Sequence, residues 1–315
     1  MSFPKIAIVG AGQVGATVAH LLVLKGLADV VLVDVVEGLA QGKALDLMQA
    51  AAIERCPVQV SGTTDLAAIG DSRIVIVTAG LARKPGMSRD ELLMANAKVV
   101  GPIAEAIHRV APQTVVLVVT NPLDVMTYLV VQRTGFPRQR VLGMAGVLDS
   151  GRLRAFVAQK LQVDPAQIEA MVLGSHGDLM VCLTSSITVQ GIPLVKRLEA
   201  QEINQLIQRT RDGGAEIVSL LKSSSAYYAP ASGIVHMVQA VLHDAHRVLP
   251  ASVLLEGEYG LKDMCLGVPV EVAASGMVRI VQQPLTTDEQ QALHRAAEQV
   301  KESLKVLFPV GSLRA

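Results

Sequence analysis

The sequence predicts an α/β protein in which an N-terminal doubly wound parallel sheet is followed by a C-terminal α+β domain. Three observations predict it. Short β-branched runs alternate with helical patterns of about ten or more residues through the first half of the chain. That alternation stops near residue 145, beyond which helices and strands intersperse irregularly. Half of the 315 residues are hydrophobic, yet aromatics make up only 3% and Trp is absent. The core is therefore built from Val, Leu, Ile, Ala and Met, a mix that suits buried parallel strands covered by helices.

Lys5–Val9 (KIAIV) is the first predicted strand, and the stretch from Gly12 to Lys25, stopped by Gly26, the first helix. Asp29–Val33 is the second strand and Gly38–Ala52 the second helix. Val58–Ser61, Arg73–Thr78, Thr114–Thr120 and Arg140–Met144 complete six strands, and Ser88–Val110 has the length and composition of a long helix. Six strands joined by helical crossovers predict the doubly wound, nucleotide-binding architecture. The second half shows helix patterns at Ser150–Leu161, Glu199–Leu221 and Ser232–His246. Strand-like runs occupy Glu169–Leu173, Ile187–Val189, Ser252–Leu255, Pro269–Ala273 and Met277–Ile280. The chain ends in an amphipathic helix over Thr287–Phe308, with Leu293, Ala297, Val300, Leu304 and Leu307 on one face. These patterns predict domains over residues 1–145 and 146–315, packed directly because no Gly/Ser linker separates them.

Twenty-eight basic residues balance 28 acidic ones, which argues against a nucleic-acid binder relying on a broad basic face. Mean hydropathy is high at +0.42. Even so, no run of about 18 uncharged apolar residues occurs, so no membrane association is expected. Cys56, Cys182 and Cys265 lie far apart with no zinc spacing, which fits neither a disulfide framework nor a metal site. The opening MSFPKIAIVG lacks the features of a signal peptide. A cytoplasmic protein is expected.

Gly10-Ala11-Gly12-Gln13-Val14-Gly15 sits where the first strand turns into the first helix. There Gly10 makes the tight turn, Gly12 admits a pyrophosphate to the backbone, and Gly15 allows close helix–strand packing. The helix N-terminus offers free N–H groups to the phosphates. Asp34 ends the second strand, placed to accept hydrogen bonds from a ribose hydroxyl and to repel a 2′-phosphate, which predicts NAD over NADP on a Rossmann-type domain.

Four further segments attract attention. Gly80 to Arg89, containing Arg83, leaves the carboxyl edge of the sheet, where open α/β sheets bind ligands; it reads as a lid or as a basic surface loop. Thr120-Asn121-Pro122 ends the fifth strand on the same edge, with Asn121 either a ligand contact or a turn residue. Asp149 and Arg152 lie three apart at the start of a helix, pointing at one site or pairing locally. His176 is flanked by Gly174 and Gly177, whereas the other six histidines fall in helix patterns. It is either a reachable functional group or a structural turn residue.

Together, GAGQVG, Asp34, ARKPGMSR, VTNP, LDSGR and GSHGD resemble the lactate/malate dehydrogenase family in order and spacing, over nearly the whole chain. Within it they are similar to the malate enzymes nearest in sequence to lactate dehydrogenases. The resemblance implies an NAD-dependent enzyme with a C-terminal catalytic domain, a homodimer or homotetramer. It implies that His176 exchanges a proton with the substrate and that Asp149 is its carboxylate partner. Arg152 would grip the 1-carboxylate and Arg89, on the lid, would polarise the reacting carbonyl. Asn121 would stand near substrate and nicotinamide, and Asn96 and Val119, Thr120 and Asn121 would contact the cofactor.

The chemistry supports those roles. A base with a pKa near 7 serves both directions of alcohol oxidation, and an adjacent carboxylate orients and charges it. A planar guanidinium binds a carboxylate bidentately. Arg83 matches the position that chooses among substrates, where lactate enzymes usually carry Gln. If it points inward, it pairs with the second carboxylate of a small dicarboxylate such as oxaloacetate or malate. Ala226 matches a pocket position often occupied by Thr in lactate enzymes. Reversible oxidation of (S)-malate, a step of the tricarboxylic acid cycle, is thus the expected reaction. A lactate or broader 2-hydroxyacid dehydrogenase is the alternative, and a noncatalytic NAD-binding regulator a distant one.

Overall fold

The computed structural model describes residues 3–82, 86–222 and 224–309. The first half builds β1 (Lys5–Val9), α1 (Gln13–Leu24), β2 (Asp29–Val33), α2 (Leu39–Ile53), β3 (Val60–Thr63) and β4 (Ile74–Val77). Then come α3 (Arg89–Val110), β5 (Val115–Val118), α4 (Leu123–Thr134) and β6 (Val141–Gly143). The strands pair in the order β3-β2-β1-β4-β5-β6, all parallel. This is the expected doubly wound sheet; its inner strands are buried on both faces, β4 and β5 completely, while the edge strand β3 is only partly covered.

The second half comprises α5 (Gly146–Leu161), β7 (Ile168–Glu169), β8 (Val172–Gly174), β9 (Met180–Cys182), β10 (Thr188–Val189) and β11 (Ile192–Pro193). It continues with α6 (Ala200–Leu221), α7 (Tyr228–Leu242), β12 (Arg247–Glu256), β13 (Lys262–Ala273), β14 (Gly276–Ile280) and α8 (Thr287–Leu307). Most of its strands extend the N-terminal sheet. β12 pairs antiparallel with β6 through Ser252 and Gly143, and the sheet continues through β13, β8 and β9. A small sheet of β11, β10 and β7 flanks it.

Several expectations shift. The single strand read over Glu169–Leu173 is two: Ile168–Glu169 joins the small sheet and Val172–Gly174 the large one. The helix read over Ser232–His246 starts earlier, with Pro230 in its first turn where its missing N–H is harmless, and stops at Leu242. His243 caps it and His246 sits at φ 47°, so these two histidines lie in a turn and not in a helix. Helix α4 went unread because it is buried almost all round, polar residues included, and shows no amphipathic period.

Candidate active site

Gly10, at φ +106°, makes the turn out of β1, and a side chain at Gly15 would collide with the Gly10 carbonyl. Beside Gly12 the position of a Cβ meets nothing within 4 Å, so the face of this turn is open to a ligand. Asp34 fixes it from below: Oδ2 accepts from the Ala11 N–H at 2.7 Å and Oδ1 from the Val36 N–H at 3.0 Å. Lys43, which the sequence reading passed over, reaches from α2 to donate to the Ala11 carbonyl at 2.6 Å. An open face at a helix N-terminus, with a carboxylate at the end of β2, fits a dinucleotide.

The neighbouring strand ends are tied to this turn. Thr120 donates to the Ala79 carbonyl at 2.7 Å, and the Val119 N–H to the Val77 carbonyl at 2.9 Å. Asn96, fully buried on α3, accepts from the Leu81 N–H at 2.7 Å and donates to the Leu81 and Asn121 carbonyls at 3.2 and 2.6 Å. Its amide is spent on bracing the loop and the Asn121 backbone.

His176 lies in the loop between β8 and β9, its side chain 25% exposed. Its Nδ1 bonds Asp149 Oδ2 at 2.9 Å, and Asp149 Oδ1 accepts from Arg152 Nη1 at 3.4 Å. Asp149 is 1% exposed in the first turn of α5. Burial alone would push the His176 pKa down. The Asp149 charge and hydrogen bond oppose that, and the net effect raises it above its usual 6.5. Arg152 packs its stem against Gly213 on α6, and its Nε is buried without a partner among the described residues. A buried guanidinium N–H with no protein partner is a donor available to an anion.

A cavity of about 250 Å³ opens beside this group, lined by Arg89, Asn121, Asp124, Ser175 and His176 and flanked by Gln299 and Ser303 of α8. Arg89 turns outward, 61% exposed, and pairs with Asp178 at 2.9 Å. Arg83 lies outside the described residues. Ala226 is half-buried. The structure thus brings His176, Asp149 and Arg152 into one hydrogen-bonded group, with Asn121 and Arg89 at the adjoining cavity. It sets Asn96, Val119 and Thr120 behind them. Sequence reasoning missed Asp124, Ser175 and Ser252. The available signal was Asp124 itself, a lone acid in the apolar run LDVMTYLVV.

Comparison with known proteins decides the family. Residues 4–143 match the NAD binding domain of lactate/malate dehydrogenases, and residues 146–309 match their alpha/beta C-terminal domain. The chain belongs to the lactate/malate dehydrogenase family. It is an NAD-dependent dehydrogenase. A malate dehydrogenase of Trichormus variabilis is 50% identical over 302 residues, 96% of this chain and 93% of that one. One from Methanosarcina mazei is 47% identical over 303 residues, covering 96% and 99%. The Cryptosporidium parvum malate dehydrogenase structure superposes on this dehydrogenase with TM-score 0.94 at 42% identity, covering 97% and 99%. The lactate dehydrogenase of the same organism, solved with lactic acid and NAD, superposes with TM-score 0.95 at 38% identity, covering 98% and 99%. No helix among the described residues is long and apolar enough to cross a membrane.

Proposed function

We propose that this dehydrogenase interconverts (S)-malate and oxaloacetate, a tricarboxylic acid cycle reaction, with residues 1–145 binding NAD and 146–315 carrying the catalytic groups. The observation that carries the reading is the His176–Asp149–Arg152 group, in which Asp149 holds both an imidazole and a guanidinium whose buried Nε has no partner among the described residues. Bound NAD supplies the hydride acceptor that no side chain provides. With Nδ1 held by Asp149, Nε2 of His176 takes the proton of the alcohol and returns it in reduction. Arg152 grips the 1-carboxylate, and Asn121 orients the substrate from the cavity wall. Arg89 leaves Asp178 to stabilise the partial negative charge on the carbonyl oxygen. Arg83 meets the second carboxylate. Asp34, its oxygens anchored by the turn, selects NAD over its 2′-phosphorylated form.

Relatives named malate dehydrogenase support the dicarboxylate. The lactate enzyme superposes equally well, so the backbone does not choose between the two acids. Rates with oxaloacetate and pyruvate, each with NADH and NADPH, test the reading; equal rates on the two acids would overturn the dicarboxylate assignment. Exposed Leu45, Met48 and Ile53 on α2, and Val218, Leu220 and Leu221 on α6, support a homodimer or homotetramer, which light scattering reads directly. Three cysteines that stay apart fit a cytoplasmic location.

A further inference from the structure

We propose that Asp124 is a positioning residue for proton transfer: a second buried carboxylate that, with Asp149, holds the imidazolium of His176 and sets the pH at which it gives up its proton. The proposal rests on the reading of His176 as the proton donor and acceptor. Asp124 stands in the first turn of α4, 2% exposed, and lines the same cavity as His176. Its Oδ1 accepts from the Ser252 hydroxyl of β12 at 2.6 Å, and Ser175, next to His176, lines the same cavity. The groups facing it are therefore Ser252 from β12, Cys265 from β13, and Ser175 and His176 from the β8–β9 loop. His176 in turn faces Asp149 and Arg152 from α5. Arg89, Asp90 and Asp178 stand at the cavity, and α8 presents only uncharged Gln299, Val300 and Ser303 to it.

A purely structural pin would not need the charge. An Asn at 124 would still accept the Ser252 hydroxyl through its amide oxygen. The carboxylate instead burdens the fold: burial pushes its pKa from 3.8 up to about 6, against the pull of the Ser252 bond and of His176. The folded chain therefore favours the protonated acid, and stability declines as pH rises from about 4 to about 6. What the negative charge does supply is an attraction for the proton on His176, which raises the pKa of that ring.

The test compares Asp124→Asn and Ser252→Ala in the full-length enzyme. The His176 ring is titrated by NMR, and oxaloacetate reduction is followed across pH. In D124N the NMR midpoint and the alkaline limb of the rate profile both fall by about one pH unit. Reduction near pH 8 drops about tenfold, while the melting temperature at that pH is no lower than in the wild type. S252A keeps the carboxylate but loses the bond that holds its pKa down, so it melts earlier and its His176 midpoint moves less than in D124N. A folded D124N whose His176 midpoint stays put overturns the proposal. Should D124N not fold, Asp124→Ser carries the same expectation. A wild-type rate profile that ignores the His176 midpoint instead overturns the proton-transfer role of His176; the NMR shift separates that failure from the other.

Discussion

Replacing Asp149 with Asn separates charge from shape at the centre of the site. The carboxylate is buried, 2.9 Å from His176 Nδ1 and 3.4 Å from Arg152 Nη1. An adjacent opposite charge moves a pKa by about 1–3 units. Taking two, the imidazolium of His176 loses about 2.7 kcal/mol in the variant. The sign follows from the raised pKa. Reduction consumes the protonated ring, so it is fully supported below the ordinary 6.5 and fades as pH climbs through the raised value. In D149N it fades about two units earlier, a loss of about 100-fold near pH 8. Toward acid pH the ring of the variant regains its proton and that part of the loss shrinks. Misorientation of the imidazole removes about another 100-fold at every pH. The assay is kcat/KM for oxaloacetate, followed by NADH absorbance from about pH 5 to 9. A loss of the same size at both ends would refute the electrostatic argument, as would one under tenfold near pH 8.

Arg152→Lys keeps the charge but not the fork, and is expected to lower kcat/KM for oxaloacetate by about 30- to 1000-fold, or about 2–4 kcal/mol. NADH affinity, read by fluorescence titration, should hold. Asn96→Ala strands the Leu81 N–H and two carbonyls. At about 1 kcal/mol or more for each group left unmade, a thermal melt should fall by several degrees, and KM for NADH should rise. Asp178→Asn breaks an ion pair whose partners are 61% and 79% exposed. Such pairs contribute about 0–1 kcal/mol, so KM for oxaloacetate should change by about fivefold at most. A change of tenfold or more would show that the pair does more than hold Arg89 outward.

The parts legible in the sequence were those written locally. Strands β1, β2, β4 and β5 announce themselves as β-branched runs ending in glycine, aspartate or the TNP turn, and the glycine turn carries its chemistry within six residues. The partners of His176 were readable because Asp149 and Arg152 share one helix face. Asp124 was not, since its serine partner on β12 lies 128 residues away and only the folded sheet brings them together. The same limit explains β12 and β13. Read as four- and five-residue fragments, they are ten and twelve residues long, because pairing with each other extends strands through residues of modest β propensity. The bonds of the Asn96 side chain to the Leu81 and Asn121 backbone were likewise not legible, because only tertiary structure places those groups beside it.

The continuity of the sheet explains where this site is rigid. β6 ends at Gly143, which pairs with Ser252, and α5 begins at Gly146 with Asp149 in its first turn. On the other side of β12, β13 reaches β8 through Gly267 and Gly174, where a side chain on Gly267 would strike the Gly174 carbonyl. His176 follows two residues later. Asp149, Asp124 and His176 therefore hang from neighbouring strands and helices of one hydrogen-bonded layer, and their mutual distances are set by strand spacing. Arg89 is attached differently. It opens α3 after the 80–88 segment and is restrained among the described residues only by an exposed ion pair. On the proposed reading, proton transfer uses groups fixed on this seam, and stabilisation of the carbonyl oxygen falls to Arg89, whose side chain is held by an exposed ion pair.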